Sequence, residues 1–310
     1  MNSTPLLTGV LAPVITPFKP DLSPDIERYV RHCKWLLANG CSGLAVFGTN
    51  SEANSLSVDE RLLLLDALLE AGVPAAKLMP GTGCCALPDS VRLTRHAVAK
   101  GCAGVLMLPP FFYKGVPDEG IYRNFAEIAQ RVGDTRLRIY LYHIPQVAAV
   151  GFSLALVERL LKGHPGIVVG MKDSSGDWNN MAAMLDAFPG LQLFPGSEEF
   201  LLPAMRKAAA GTITATANIA PAAIDRLYRN WQSPEADALQ AEVTSFRKAV
   251  TKFPQIPALK YATAIYTGHP QWAMTRPPLQ PLSDAQGREL GLMLEERGFD
   301  MPRINQLNTA

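Results

Sequence analysis

Long apolar runs, clustered charge and metal-ligand spacings are all missing from this 310-residue chain, and each absence removes a class of function. No stretch approaches the ~18 apolar residues needed to span a bilayer. The longest helical apolar segment, residues 62–69, is interrupted by Asp66. The start, Met1-Asn-Ser-Thr-Pro-Leu-Leu7, lacks a charged region followed by an apolar one, so no signal peptide is expected. Five cysteines (Cys33, Cys41, Cys84, Cys85 and Cys102) form no C-x-x-C pair. This argues against a metal centre or disulfide framework and for buried thiols in a reducing compartment. Five scattered histidines without an H-E-x-x-H motif offer no histidine-based metal site. Charged residues make up 18%, the net charge is +1, and no basic block interleaves with aromatics. Nucleic acid and anionic membranes are therefore poor partners.

What is present is a compact composition, 48% hydrophobic, and a repeated alternation of short apolar runs with helix-period segments. Strands are expected over residues 10–16, 43–47, 77–81, 104–108, 138–142, 167–172, 191–195 and 212–215. After the first, Ser23-Pro24-Asp25 supplies an expected N-cap, a proline at the first helical position and an acidic first turn. Ile26, Val30, Cys33 and Leu37 then share one helix face, which Gly40 ends. Ser57 and Glu60 form a capping box before a leucine-rich helix, 61–70. Further helices are expected over 88–100, 120–131, 154–162, 179–188, 198–209 and 221–231. Eight strand–helix pairs predict an α/β fold, a TIM (β/α)8 barrel over residues 1–232. Residues 233–310, punctuated by Pro254, Pro257, Pro270, Pro277, Pro278 and Pro281, read as a helical appendage packed on that barrel within one structural unit. The tail after Met301 is polar and expected to fray. An open doubly wound sheet is the alternative, but it calls for a glycine-rich phosphate turn after its first strand. Pro13-Val-Ile-Thr-Pro-Phe18 is not one.

A barrel gathers its chemistry at the C-terminal strand ends. Lys172 closes the apolar run Gly166-Ile-Val-Val-Gly-Met171 and precedes Asp-Ser-Ser-Gly-Asp177. Its stem lies among apolar groups while its amine emerges among polar loops, and desolvation there favours the free base that a carbonyl needs to form a Schiff base. The bland alternative is a lysine snorkelling to solvent. Tyr142 ends the preceding strand and would bring a phenol to the same cavity for proton relay. His143 is expected to point outward by strand alternation. The second strand runs into Phe47-Gly48-Thr49-Asn50-Ser51-Glu52, a turn whose N–H groups could nest a carboxylate. The seventh ends at Pro195-Gly196-Ser197-Glu198-Glu199, where a helix dipole favours acids in any case; these acids could also bind substrate hydroxyls.

These residues together resemble the dihydrodipicolinate synthase / N-acetylneuraminate lyase family of class I, pyruvate-handling aldolases. The likeness runs from about residue 9 to 282. It rests on Gly9-Val-Leu-Ala-Pro-Val-Ile-Thr-Pro-Phe18, Gly48-Thr-Asn-Ser-Glu52, Tyr142-His-Ile-Pro145, Gly170-Met-Lys-Asp-Ser-Ser-Gly-Asp177 and Arg276-Pro-Pro-Leu-Gln-Pro-Leu282. The resemblance implies that Lys172 forms a Schiff base with a 2-oxo acid, usually pyruvate, with Tyr142 and Thr49 as its catalytic companions. It also implies that Thr49 and Asn50 hold the carboxylate, that Ile213 lines the site from the last strand, and that Ser174, Glu198 and Glu199 contact substrate. The implied enzyme is a cytosolic homotetramer without metal or organic cofactor.

Departures from the family pattern bear on the substrate. The lysine-pathway synthases place an arginine clamp where this chain has Val147, which cannot pair with a carboxylate. They also donate a second tyrosine across a subunit interface where Phe112 stands beside Tyr113. Ser51 replaces a common glycine. His143-Ile-Pro145 and the two glutamates look more like a sialic acid lyase, and Asn50 like 4-hydroxy-2-oxoglutarate aldolase. The expected activity is cleavage or condensation of pyruvate with an aldehyde, on a 2-keto-3-deoxy or 4-hydroxy-2-oxo acid. The alternatives are a 4-hydroxy-tetrahydrodipicolinate synthase or related dehydratase, and a non-catalytic 2-oxo-acid-binding protein.

Overall fold

A computed structural model describes residues 6–304. The expected features at the extreme N-terminus and in the polar tail from residue 305 lie outside that range. β1 (Gly9–Ala12) leads into α1 (Ile26–Ala38), then β2 (Gly43–Leu44) and α2 (Val58–Glu70). Next come α3 (Leu87–Ala99), β3 (Val105–Met107), α4 (Asp118–Val132), β4 (Ile139–His143), a short α5 (Pro145–Ala148) and α6 (Leu154–Gly163). β5 (Val168–Asp173), α7 (Trp178–Ala187), β6 (Gln192–Pro195), α8 (Leu201–Met205), β7 (Gly211–Ile213) and α9 (Pro221–Arg229) follow. The chain finishes with α10 (Ala236–Val250), α11 (Gln255–Thr267) and α12 (Asp284–Glu296).

All strand pairs are parallel, in two ladders ordered β2-β1-β7 and β3-β4-β5-β6. Backbone hydrogen bonds join the ladders at both gaps. The expected third strand survives as an extended segment, 78–81, that bridges Leu44 on one side and Leu106 on the other. On the opposite side Ala210 N–H donates to Leu193 O at 2.9 Å. The eight extended segments thus form a ring with helices outside it, the TIM barrel. The other strands are shorter than expected, whereas β4 and β5 keep the expected five and six residues.

Alternation sorts the side chains into two cores. Leu11, Leu106, Tyr140, Tyr142, Phe194 and Ile213 face the barrel interior. Val10, Met107, Leu141, Met171 and Leu193 face the helices. The Ser57–Glu60 capping box is formed in both directions. The start of α1 differs from expectation. Asp25, not Ser23, is the N-cap, its carboxylate accepting from Arg28 N–H. Pro24 lies outside the helix in a bridge to Phe18, and Ser23 turns to Asp21. The expected helix 198–209 is also broken into a single 3-10 turn, Glu198–Phe200, and the short α8. No helix is long and apolar enough to cross a membrane among the described residues.

Candidate active site

The site grows from the register of β4 and β5. Tyr142 pairs directly with Lys172, and His143 with Asp173. In parallel neighbours at the same height, both inward side chains project from the C-terminal end of the ring. Lys172 is 3% exposed, and its Nζ donates to Tyr142 Oη at 3.2 Å, lying 4.3 Å from the centre of that ring. Tyr142 Oη also shares a hydrogen bond with Thr49 Oγ1 at 3.1 Å. The phenol therefore bridges the amine and the loop after β2. All three line a cavity of about 890 Å³ at this face of the barrel.

The loop 47–55 is pinned on several sides. Its N–H groups at Ser51 and Glu52 bond to Gly48 O and Thr49 O, and that of Gly48 to Ser51 Oγ. Those of Thr49 and Asn50 find no acceptor among the described residues. That pair of free donors is the arrangement a carboxylate nest requires. Ser51 stands in this turn where the resemblance puts a common glycine. Its hydroxyl turns away and donates to Val14 O at 2.5 Å, while Thr16 Oγ1 donates to Ser51 O at 2.8 Å. Asn50 Oδ1 accepts from Gln255 Nε2 at 2.7 Å. Glu52 pairs with Lys260 and accepts from Arg276 N–H at 3.0 Å. The Arg276 guanidinium continues to Glu60 and to Ser55 O.

Not every expected residue reaches the cavity. Ser174 and Glu199 line it. Glu198 does not: it is 1% exposed and its carboxylate accepts from Thr214 and Thr216 hydroxyls. With both oxygens engaged beneath the strand ends, it holds β6 to the segment after β7 and is not available to a sugar hydroxyl. Ile213 is buried in the barrel interior and absent from the cavity wall, where Ala215 stands in its place. His143 faces the helices, as alternation requires. Its Nδ1 accepts from Phe152 N–H at 3.0 Å, and burial holds the ring below its ordinary pKa against the opposing pull of Asp173. Phe112 and Tyr113 are each 71% exposed and edge-on to one another.

Among the wall residues that were not anticipated are Arg247 on α10 and Gln255 on α11. Nothing local marks them, because they come from the helices after the barrel. Among the described residues no group of three or more His, Cys, Asp or Glu is arranged to hold a metal ion.

The sequence profile of the Dihydrodipicolinate synthetase family matches residues 6–297. The chain belongs to that family. A DapA-like lyase of Chloroflexus aurantiacus is 33% identical over 280 residues, covering 90% of this chain and 93% of that protein. A 4-hydroxy-tetrahydrodipicolinate synthase of Thermus thermophilus is 35% identical over 217 residues, 70% of this chain and 71% of that protein. Among solved structures, the dihydrodipicolinate synthase of Agrobacterium tumefaciens superimposes with a TM-score of 0.84 at 30% identity, covering 93% of this chain and 99% of the other. A variant of 2-keto-3-deoxygluconate aldolase from Sulfolobus solfataricus gives 0.84 at 22% identity over 94% and 96%, a likeness that speaks to fold alone. Family membership makes the chain an enzyme, a lyase of the class I aldolase type.

Proposed function

We propose that the enzyme cleaves a 2-keto-3-deoxy or 4-hydroxy-2-oxo acid to pyruvate and an aldehyde through an iminium on Lys172. The observation that carries this reading is the chain Lys172–Tyr142–Thr49 on the wall of one cavity. The amine adds to the substrate C2 carbonyl and water leaves, giving the iminium. Tyr142 relays the proton from the C4 hydroxyl as the C3–C4 bond breaks, and the bonding electrons flow into the iminium to form an enamine. Protonation at C3 and hydrolysis then release pyruvate and restore the amine. The free N–H groups of Thr49 and Asn50 hold the 2-oxo acid carboxylate, which orients C2 toward Lys172. Ser174 and Glu199 supply polar contacts to the departing aldehyde.

Cleavage is favoured over condensation with aspartate semialdehyde because Val147, 64% exposed on the cavity wall, offers no cation at that point. The same reading makes the working enzyme a cytosolic homotetramer. Support comes from the loop carrying Phe112 and Tyr113, an apolar surface that a second copy would cover; sedimentation equilibrium measures the assembly.

Borohydride reduction in the presence of pyruvate tests the chemistry. Intact-mass analysis is expected to show one reduced pyruvyl adduct per chain, lost in Lys172→Ala. No adduct, or one that survives the substitution, refutes the assignment. Pyruvate release from a panel of 2-keto-3-deoxy acids, set against condensation with aspartate semialdehyde, separates lyase from synthase.

A further inference from the structure

Arg247 shares the cavity wall with Lys172, yet no acidic partner neutralises it. Its Nη2 donates to Gln255 Oε1 at 3.2 Å, while Nη1 is buried without any hydrogen-bond partner. Among the described residues it makes no ion pair. The two acids on the same wall are already occupied. Asp173 accepts from Ser175 and Asn180, and Glu199 accepts from Ser197 with Lys248 Nζ 4.0 Å away. A charged donor held out of water without an acceptor is a standing cost that a bound anion removes.

The guanidinium is also preorganised. Gln255 accepts from it through Oε1 and donates from Nε2 to Asn50 Oδ1, so one amide ties Arg247 to the loop of free N–H donors. Gln255 cannot flip without losing both bonds, since its oxygen faces a donor and its nitrogen faces an acceptor. A planar fork held this way suits a carboxylate or phosphate, which accept two parallel N–H bonds, better than a single hydroxyl.

We infer that Arg247 is a specificity-determining residue that binds an anionic group, carboxylate or phosphate, at the substrate end remote from the 2-oxo acid. This rests on the reading of Lys172 as the iminium-forming amine, and it names the substrate class left open there. Arg247 comes from α10 and does not occupy the place of the cation that family analogy puts at position 147.

The test uses matched pairs of 2-oxo acids in borohydride trapping, read as the half-saturating concentration. 2-Oxoglutarate against 2-oxopentanoate compares a terminal carboxylate with a methyl group at equal chain length. A six-carbon 2-keto-3-deoxy acid with a terminal phosphate against its unphosphorylated form probes the phosphate. In the wild-type enzyme at least one anionic member is expected to be trapped at a concentration about tenfold or more lower than its neutral partner. The pair that discriminates identifies the anion. The ratio should fall to near one in Arg247→Gln and recover in part in Arg247→Lys, which keeps charge but not the fork. Because the readout is a ratio, a general loss of site integrity cancels. Equal trapping within both pairs, or a ratio unchanged in Arg247→Gln, overturns the inference while leaving the Lys172 chemistry intact. Failure of pyruvate itself to be trapped overturns both.

Discussion

Lys260 of α11 and Glu52 of the site loop form an ion pair in which neither side chain reaches solvent. Glu52 sits two residues beyond Asn50 in a left-handed backbone conformation, φ 55°. The pair therefore fastens the loop that carries Thr49 and Asn50 to the helices after the barrel, with Lys260 Nζ 4.4 Å from the Phe18 ring centre. Replacing Lys260 by methionine removes the amine that donates to Glu52 and leaves that carboxylate buried without it, a loss of about 3–5 kcal/mol, whereas an amine that only loses its proton still donates. Lys260→Met is expected to lose that much stability in urea denaturation. Lys260→Met with Glu52→Gln should regain most of it, because glutamine still accepts from Arg276 N–H. If the double variant is no more stable than the single, the pair is not the source of the effect.

The pair also sets a pH dependence. Burial lowers the Lys260 pKa from 10.5 to about 8, with Glu52 opposing the shift and Arg276 adding to it. Between these two values the unfolded chain binds a proton that the folded chain has released. Stability contributed by this group accordingly rises with pH across that window, and its cost is fully present below about 8. Subtracting the unfolding free energy of the Lys260→Met/Glu52→Gln variant from that of the wild type cancels other titrating groups. The difference should climb from pH 8 to 10.5; a flat or falling curve contradicts the shift.

Tyr142 bridges Lys172 and Thr49 through one oxygen, so Tyr142→Phe removes the relay while leaving the ring and its contact with the lysine. Pyruvate trapping on Lys172 should persist, while kcat for cleavage falls by about 10²–10⁴, the span assigned to a positioned proton-transfer group. Thr49→Val should fall less, since the phenol keeps its bond to the amine. Comparable rates for Tyr142→Phe and wild type would remove the phenol from the mechanism.

The parts of the site that were legible in the sequence are those set by strand periodicity. Tyr142 and Lys172 each end an apolar run, and two-residue alternation turns both inward once their strands are neighbours. The same alternation sends His143 to the helices. The direction of Glu198 was not legible, because acids at a helix start are favoured by the dipole whether they face a cavity or a core. Here the deciding contacts come from Thr214 and Thr216, on the far side of α8. Ile213 ends β7 in the barrel interior, and the cavity is lined by Ala215 in the 3-10 turn that follows the strand, a turn that strand periodicity does not encode. Arg247 and Gln255 carried no signal, since the Gln255–Asn50 bond spans 205 positions and no local pattern encodes it.

Close approach at the strand ends gives a last, sharper test. A Cβ added at Gly196 would run into the Ser174 hydroxyl and come within 2.8 Å of Ser174 Cα. Backbone atoms cannot rotate aside, so Gly196→Ala must push apart the loops after β5 and β6. Overpacking of this kind costs about 1–3 kcal/mol. Ser174 lies two residues beyond Lys172 on the cavity wall, so the displacement should also lower kcat/KM, by more than the stability loss alone would deplete the folded enzyme. Gly120→Ala is the control, because its added Cβ meets nothing within 4 Å and its backbone is helical. That substitution should leave stability unchanged or raise it by about 0.4–1 kcal/mol, through the smaller entropy of the unfolded chain. Equal behaviour of the two variants in urea denaturation and in turnover would mean that the loops after β5 and β6 yield to one another, and that the position of Ser174 does not depend on the missing side chain at Gly196.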